Sequence, residues 1–210
     1  MNKGNKEKLR HLVIGALLVA IGILIPQVMP KIPIPPASFT LASHVPIFIG
    51  MFFSPFVAVM VVIGTTFGFF ISGLPPVIAA RAASHIIFAI IGAFYLRRHP
   101  EIVNFKGKNT LANWKFQFFN LWIGVIHALS EVAVVSVFFL FGTVPGATSG
   151  NFVYMLVVLV GVGGLIHSLV DYNIAYVLSV ALSKSFDIDV FVAAKKKKEE
   201  VEKTSAIPEV

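Results

Sequence analysis

Three pairs of ionisable residues lie inside otherwise apolar segments, and the two members of each pair stand four residues apart. The pairs are Arg81 with His85, His127 with Glu131, and His167 with Asp171. Four-residue spacing places both members of a pair on one face of a helix. Ionisable groups are costly at membrane depth and usually mark a pathway, a ligand site or an interhelical pair. The pattern therefore predicts a helical bundle with a small polar interior.

The chemistry of these groups is that of a small site for an anion. Arg81 lies five residues into its predicted helix, or about 7 Å deep at about 1.5 Å per residue. A guanidinium there either snorkels outward or presents a planar fork that matches a carboxylate. His85 lies one turn deeper on the same face, and His127 is a further candidate for contact with a ligand. Glu131 is predicted to pair with Arg81, to bind the ligand, or to do both if the ligand inserts into the pair.

Two further groups are predicted near this site. His44 opens the second predicted helix and is expected to line the mouth of the site or to be solvated there. His167 and Asp171 are predicted to form a structural pair in the inner half of the bundle. The chain has no Cys, and no two of these His stand in a metal-binding spacing, since each comes from a different helix. The spacing therefore predicts neither a metal ligand set nor a cofactor, although a transition-metal site assembled from several helices stays open, because imidazole and carboxylate suit such metals.

The composition is that of an integral membrane protein. Of the 210 residues, 57% are hydrophobic and 13% are charged, and the mean hydropathy is +0.86. Soluble domains carry about 25% charged residues. The net charge of +7 comes from basic residues at the N-terminus, in one middle loop and in the tail, which is the pattern of topology signals rather than of nucleic-acid binding. No phosphate-binding loop, HExxH or GxSxG motif is present, so no enzyme is predicted.

Turn signals divide the chain into six predicted helices, at about 9–25, 41–53, 56–71, 77–96, 114–141 and 151–184. Pro-rich residues 26–39 predict a long first outer loop. The basic regions all fall on one side of a six-helix bundle, so both termini are predicted to be cytoplasmic. Residues 1–185 form one membrane domain, of which 1–8 are a basic cytoplasmic N-terminus, and 186–210 form a charged cytoplasmic tail. The first helix is read as retained rather than as a cleaved signal, and its Ala16-x-x-x-Ala20 stripe allows close helix contact. Gly64-x-x-x-Gly68 is a second such stripe, and we expect one stripe to pack internally and the other to meet a partner.

Taken together, size, helix number, the long outer loop and the Ala16-x-x-x-Ala20 motif resemble the S components of energy-coupling factor (ECF) vitamin transporters. Two stretches, 35–50 and 81–89, are similar to niacin-type S components. The resemblance covers about residues 8–185.

The resemblance implies a substrate-binding subunit in a prokaryotic plasma membrane. Its vitamin would bind beneath the first outer loop, and it would dock through Ala16 and Ala20 on a transmembrane T subunit driven by two ATPases. For a nicotinate ligand, Arg81 would take the carboxylate, His85, His127 or Glu131 would meet the ring nitrogen, and Trp122 would stack on the ring.

Three alternatives stay open at this stage. Pantothenate, also an anion, would suit Arg81 equally well. A stand-alone proton-coupled carrier of a small anion would use Glu131, His167 and Asp171 as a relay. A structural membrane subunit would use the charged pairs only to lock its helices together.

Overall fold

The computed structural model describes residues 2–34, 37–103, 110–142, 144 and 151–205. The α-helices are α1 (Lys3–Val28), α2 (Val45–Phe53), α3 (Pro55–Ile71), α4 (Pro76–Ser84), α5 (Ile86–Arg98), α6 (Trp114–Leu140), α7 (Gly163–Leu182) and α8 (Asp189–Ser205). A 3-10 turn spans Pro100–Val103, and the π-helical segment Tyr154–Val162 runs directly into α7. Strands β1 (Lys31–Ile34) and β2 (Ala37–Thr40) form an antiparallel hairpin in which Lys31 lies opposite Thr40.

Four helical segments are long and apolar enough to cross a membrane: Gly4–Val28, Pro76–Arg98, Trp114–Leu140 and Tyr154–Leu182. Helix α3 is apolar but shorter. The β1–β2 hairpin is the one sheet among the described residues. The protein is therefore an all-α multi-pass membrane protein. We call the end of the bundle that carries this hairpin the hairpin end.

Several predicted elements differ from the observed ones. The fourth predicted helix is two helices, α4 and α5, which meet at His85, where the His85 amide bonds to the Ala82 carbonyl in a tight turn. Helix α1 continues through Pro26 because a proline in the last turn removes only one helical hydrogen bond. The predicted first outer loop holds the hairpin, and most of the predicted turn at 142–150 lies outside the described residues.

The core is centred on α2, whose nine residues are all buried. At about 1.5 Å per residue this helix crosses only about half of a bilayer core, so it begins inside the bundle. Around it pack aromatic rings, among them Phe48 against Tyr172 and Phe52 against Phe191. The apolar core thus fills the bundle beside and beyond α2, and the first turn of α2 opens toward the hairpin end.

Helices α1 and α3 pack closely through small residues. A Cβ atom on Gly64 would lie 2.5 Å from Cγ2 of Val19, and one on Gly68 would overlap Cδ1 of Ile23. The α3 stripe is therefore the one that packs internally. Ala16 and Ala20 lie on another face of α1 and are exposed.

The charged tail begins as a helix that docks on the bundle. Asp189 at the start of α8 accepts a hydrogen bond of 2.7 Å from Arg10 of α1, and Lys197 donates one of 2.9 Å to Glu101. Phe191 is buried in the core. These contacts place α8 at the end of the bundle opposite the hairpin, beside the start of α1.

Candidate functional site

Seven ionisable side chains meet inside the bundle near the hairpin end, in two groups that touch. The first group is built on Glu131 of α6, and the second on Asp171 of α7. Their members are Arg81, His85, His127 and Glu131 in the first group, and His44, His167 and Asp171 in the second. His44 joins the groups, since its ring centroid lies 4.4 Å from that of His127.

Arg81 and Glu131 form a bidentate ion pair between α4 and α6. Nε of Arg81 donates to Oε1 of Glu131 at 3.1 Å, and Nη2 donates to Oε2 at 2.8 Å. Both residues are buried, with 9% and 2% of their surface exposed. Parallel bonds of this kind fix the guanidinium plane as well as its position. The two bonds use two of the five guanidinium N–H groups, so three remain for other acceptors.

Two imidazoles converge on the same carboxylate oxygen. Nε2 of His85 lies 3.1 Å from Oε1 of Glu131, Nε2 of His127 lies 3.5 Å from that oxygen, and the two nitrogens are 3.3 Å apart. His85 reaches this position because the α4–α5 break falls at its own residue. His127 and Glu131 share one face of α6 through their four-residue spacing.

Asp171 holds the start of α2 in place. Its Oδ1 accepts from the Ala42 amide at 2.9 Å, and its Oδ2 accepts from the His44 amide at 2.9 Å and faces Nδ1 of His44 at 3.1 Å. A carboxylate at a helix N-terminus satisfies amides that have no helical partner. Ala42 has a φ of +67°, a conformation that costs a non-glycine residue about 1–2 kcal/mol. The bonds from Asp171 hold this strained turn, and the turn aims the His44 ring.

His167 lies at the hairpin end rather than in the inner half of the bundle, which corrects the sequence prediction. Its Nε2 is 3.0 Å from Oγ of Ser43 and 3.3 Å from Oδ2 of Asp171, and its ring packs on Phe39 of the hairpin. The prediction assumed a regular α-helix from residue 151. The π-helical segment that precedes α7 holds more residues per turn, so the chain advances less along its axis.

A cavity of about 140 Å³ lies between these groups and the hairpin. Its lining includes six ionisable side chains, namely Lys31, His44, Arg81, His85, Glu131 and His167. Ser38 and Thr40 of β2 also line it, so the hairpin forms one wall. A cavity of about 150 Å³ is known to hold a benzene-sized ring. The cavity therefore has room for one six-membered ring among cationic and imidazole groups.

Most of the predicted site residues meet here. Arg81, His85, Glu131 and His44 line the cavity, and His127 lies directly behind them. Trp122 does not line it: this side chain lies beside Tyr95 and Phe119 in a separate groove. The structure thus gives Trp122 no place against a ring in this cavity.

Sequence reasoning missed Lys31 and Ser43 as lining residues. Lys31 is the one basic residue in the predicted outer loops at 26–40, 72–76 and 142–150, and that isolation is a usable signal. Ser43 has no such signal in the sequence, because its position at the cavity depends on the turn that follows the hairpin.

The fold and this site define a class of protein, a multi-pass membrane protein with a small cavity lined by charged and imidazole side chains. No family model matches the chain, and no solved structure matches it. It is similar to the niacin transporter NiaX of Lactococcus lactis subsp. cremoris (strain MG1363), with 44% identity over 196 residues that cover 93% of this chain and 84% of the relative. The chain belongs to the family of that niacin transporter, which confirms the family predicted from its sequence.

Proposed function

We propose that the chain is the vitamin-binding S component of an ECF importer and that its ligand is niacin in the nicotinate form. The observation that carries the proposal is the cavity lined by Arg81. Its guanidinium has three N–H groups that do not bond to Glu131, and the cavity has room for about one six-membered ring. Relationship to a niacin transporter supports the choice of vitamin.

Arg81 is the proposed carboxylate-binding residue. Its remaining N–H groups offer a planar pair of donors to a second carboxylate, and Lys31 at the hairpin adds a second cation to the lining. Glu131 keeps the guanidinium plane fixed while the ligand binds. The ligand then inserts beside the ion pair without breaking it.

The imidazoles are the proposed partners of the ring nitrogen. His44 and His85 both line the cavity, and a ring N–H of either imidazole that is not bonded to Glu131 or Asp171 donates to a pyridine nitrogen. His127 acts behind them by orienting His85, and Glu131 is shared between Arg81 and both imidazoles. Trp122 has no part in this proposal.

The size of the cavity favours niacin over pantothenate. A cavity of about 150 Å³ holds a ring of benzene size, and the volume present is close to that. Pantothenate is a longer, flexible anion, and it would require the hairpin to move away from α7, on which Phe39 packs.

For the membrane arrangement we propose six crossings, with α2 and α3 as short ones and α4–α5 as one broken crossing. The basic N-terminus and the basic helix α8 lie at the same end of the bundle, which supports cytoplasmic termini under the positive-inside rule. The hairpin and the cavity then face outward.

The exposed face of α1 is the proposed docking surface for the T subunit. Ala16 and Ala20 are exposed there, while Gly15 and Leu18 of the same helix are buried against the bundle. Small residues allow a partner helix to approach closely in a membrane. ATP would be hydrolysed by two partner ATPases, and this chain itself would act only in binding.

Ligand identification tests the proposal. Protein purified gently in detergent is analysed by mass spectrometry for bound small molecules and is then titrated in a calorimeter with nicotinate, nicotinamide and pantothenate. We expect one nicotinate per chain, weaker binding of nicotinamide, which lacks the carboxylate, and no heat with pantothenate. No bound molecule and no heat with any of the three would contradict the proposal.

Reconstitution tests the importer assignment separately. Vesicles that contain this chain alone should take up no nicotinate. Uptake by the chain alone, driven by a proton gradient without ATP, would instead establish a stand-alone carrier.

A further inference from the structure

We propose that His85, His127, Glu131 and His44 form a binding site for a divalent transition-metal cation, with Zn²⁺ as the best match. Each of the four residues offers one ligand atom, and these atoms all lie within 4.8 Å of one another. The spacing of these residues in the sequence does not predict the site, because the ligands come from three separate parts of the chain. The site shares His44 and His85 with the proposed nicotinate site, so in the metal-bound protein these imidazoles coordinate the cation instead of donating to the ring nitrogen.

Three of the ligand atoms already have the spacing of a coordination shell. Nε2 of His85, Nε2 of His127 and Oε1 of Glu131 form a triangle with sides of 3.1, 3.3 and 3.5 Å. Zinc–nitrogen bonds of about 2.0–2.1 Å in a tetrahedron place neighbouring ligand atoms about 3.3 Å apart. The triangle therefore matches one face of a tetrahedral site without any movement of the backbone.

His44 is prepared to supply the fourth ligand. Its Nδ1 faces Oδ2 of Asp171 at 3.1 Å, which fixes the tautomer that carries a proton on Nδ1. The lone pair of Nε2 is then free, and the ring centroid lies 4.8 Å from that of His85 and 4.4 Å from that of His127. Metal-ligating histidines usually donate their second N–H to a carboxylate in this way.

The donor set selects the kind of cation. Three imidazoles and one carboxylate, all buried, suit zinc and related transition metals, whereas Mg²⁺ and Ca²⁺ prefer an all-oxygen shell. Arg81 bonds to both oxygens of Glu131, and a carboxylate with about four acceptor positions can bind both a guanidinium and a metal.

A bound cation would also change the charge of the cavity, and this consequence rests on the proposed function. Counting the imidazoles as neutral, the charged groups at the cavity are two carboxylates, Glu131 and Asp171, against two cations, Arg81 and Lys31. That balance is neutral. A divalent cation makes it positive, which favours binding of a nicotinate anion.

The metal alone is the first probe. Protein purified through a tag without histidines is stripped with EDTA, dialysed against Zn²⁺ and analysed for metal per chain by mass spectrometry. We expect one tightly held Zn²⁺ in wild type and in the matched control His99→Ala, whose imidazole is exposed and lies outside the cavity. We expect its loss in His127→Gln. Equal retention by His127→Gln, or no zinc above background in wild type, would overturn the proposal.

X-ray absorption at the zinc edge on wild-type protein decides the case even if a variant does not fold. The expected shell is three nitrogens and one oxygen at about 2.0–2.1 Å. A shell dominated by water oxygens would refute the site. A signal lost in His11→Ala would place the metal instead at the exposed group Glu7, His11 and Asp189.

Nicotinate titration with and without zinc separates this inference from the proposed function. If both hold, stripping weakens nicotinate binding by about tenfold or more, as expected for loss of one charge contact. Tight nicotinate binding together with no uptake of zinc on dialysis would refute the metal site alone. Zinc binding without any nicotinate binding would refute the proposed function alone.

Discussion

Substitution of Arg81 by Ala should leave the buried Glu131 carboxylate without its guanidinium partner and lower the free energy of unfolding strongly. The pair is bidentate, with bonds of 3.1 and 2.8 Å, and both partners are buried. Loss of one partner from a buried pair costs about 3–5 kcal/mol, since the other charge is left without a counter-ion. His85 still contacts Glu131 at 3.1 Å, so we expect the lower end, about 3 kcal/mol.

The double variant Arg81→Met with Glu131→Leu provides the decisive comparison. Replacing a whole buried pair by apolar side chains is often neutral or stabilising. The double variant should therefore be more stable than Arg81→Ala alone, although it should bind no nicotinate. This outcome separates the role of the pair in the fold from its role in binding.

Equilibrium unfolding in mixed detergent micelles, with EDTA present, measures these free energies. Lys197→Ala is the matched control, because Lys197 pairs with Glu101 at 2.9 Å on the surface and exposed pairs contribute only about 0–1 kcal/mol. Equal, small losses in Arg81→Ala and Lys197→Ala would refute the reasoning. So would a double variant whose loss equals the sum of the two single losses.

Three further predictions concern the turn before α2, the packing of α1 on α3, and the exposed face of α1. Asp171→Asn should lower the free energy of unfolding by about 1–3 kcal/mol through weaker capping of α2. Ala42→Gly should raise it by up to about 1 kcal/mol by relieving the positive φ. Chemical denaturation measures both, and a more stable Asp171→Asn or a less stable Ala42→Gly would contradict this account of the turn. Gly64→Ile should separate α1 from α3 and lower the melting temperature, because its Cβ would overlap Val19; an unchanged melting temperature would exclude this packing. Ala16→Trp should leave nicotinate binding intact but abolish ATP-driven uptake with the partner subunits, and normal uptake would exclude the proposed docking face.

The sequence was enough to predict the membrane class and most of the candidate site. Four-residue spacing identified the pairs, and the ion pair between Arg81 and Glu131 followed from two buried opposite charges on predicted helices. Depth could be estimated only for regular helices. For His167 the estimate was wrong, because a π-helical segment precedes α7.

Contacts between distant parts of the chain could not be predicted. No proline or glycine in the sequence marks the helix break at His85. The turn at Ala42 adopts its strained conformation because Asp171 bonds to it from another helix. The triangle formed by His85, His127 and Glu131 depends on the first feature, and the position of His44 depends on the second. Trp122 was predicted at the site from its residue type alone, and the structure places it in a separate groove.

The most direct test of the central claim is calorimetric titration of nicotinate into wild type, Arg81→Ala and the control Arg97→Ala. Arg97 is exposed at the end of α5 away from the cavity. We predict one-to-one binding in wild type and Arg97→Ala, and binding weaker by about 10- to 100-fold in Arg81→Ala, as loss of a charged hydrogen bond requires. Unchanged nicotinate affinity in folded Arg81→Ala would contradict the account, since the carboxylate would then bind elsewhere.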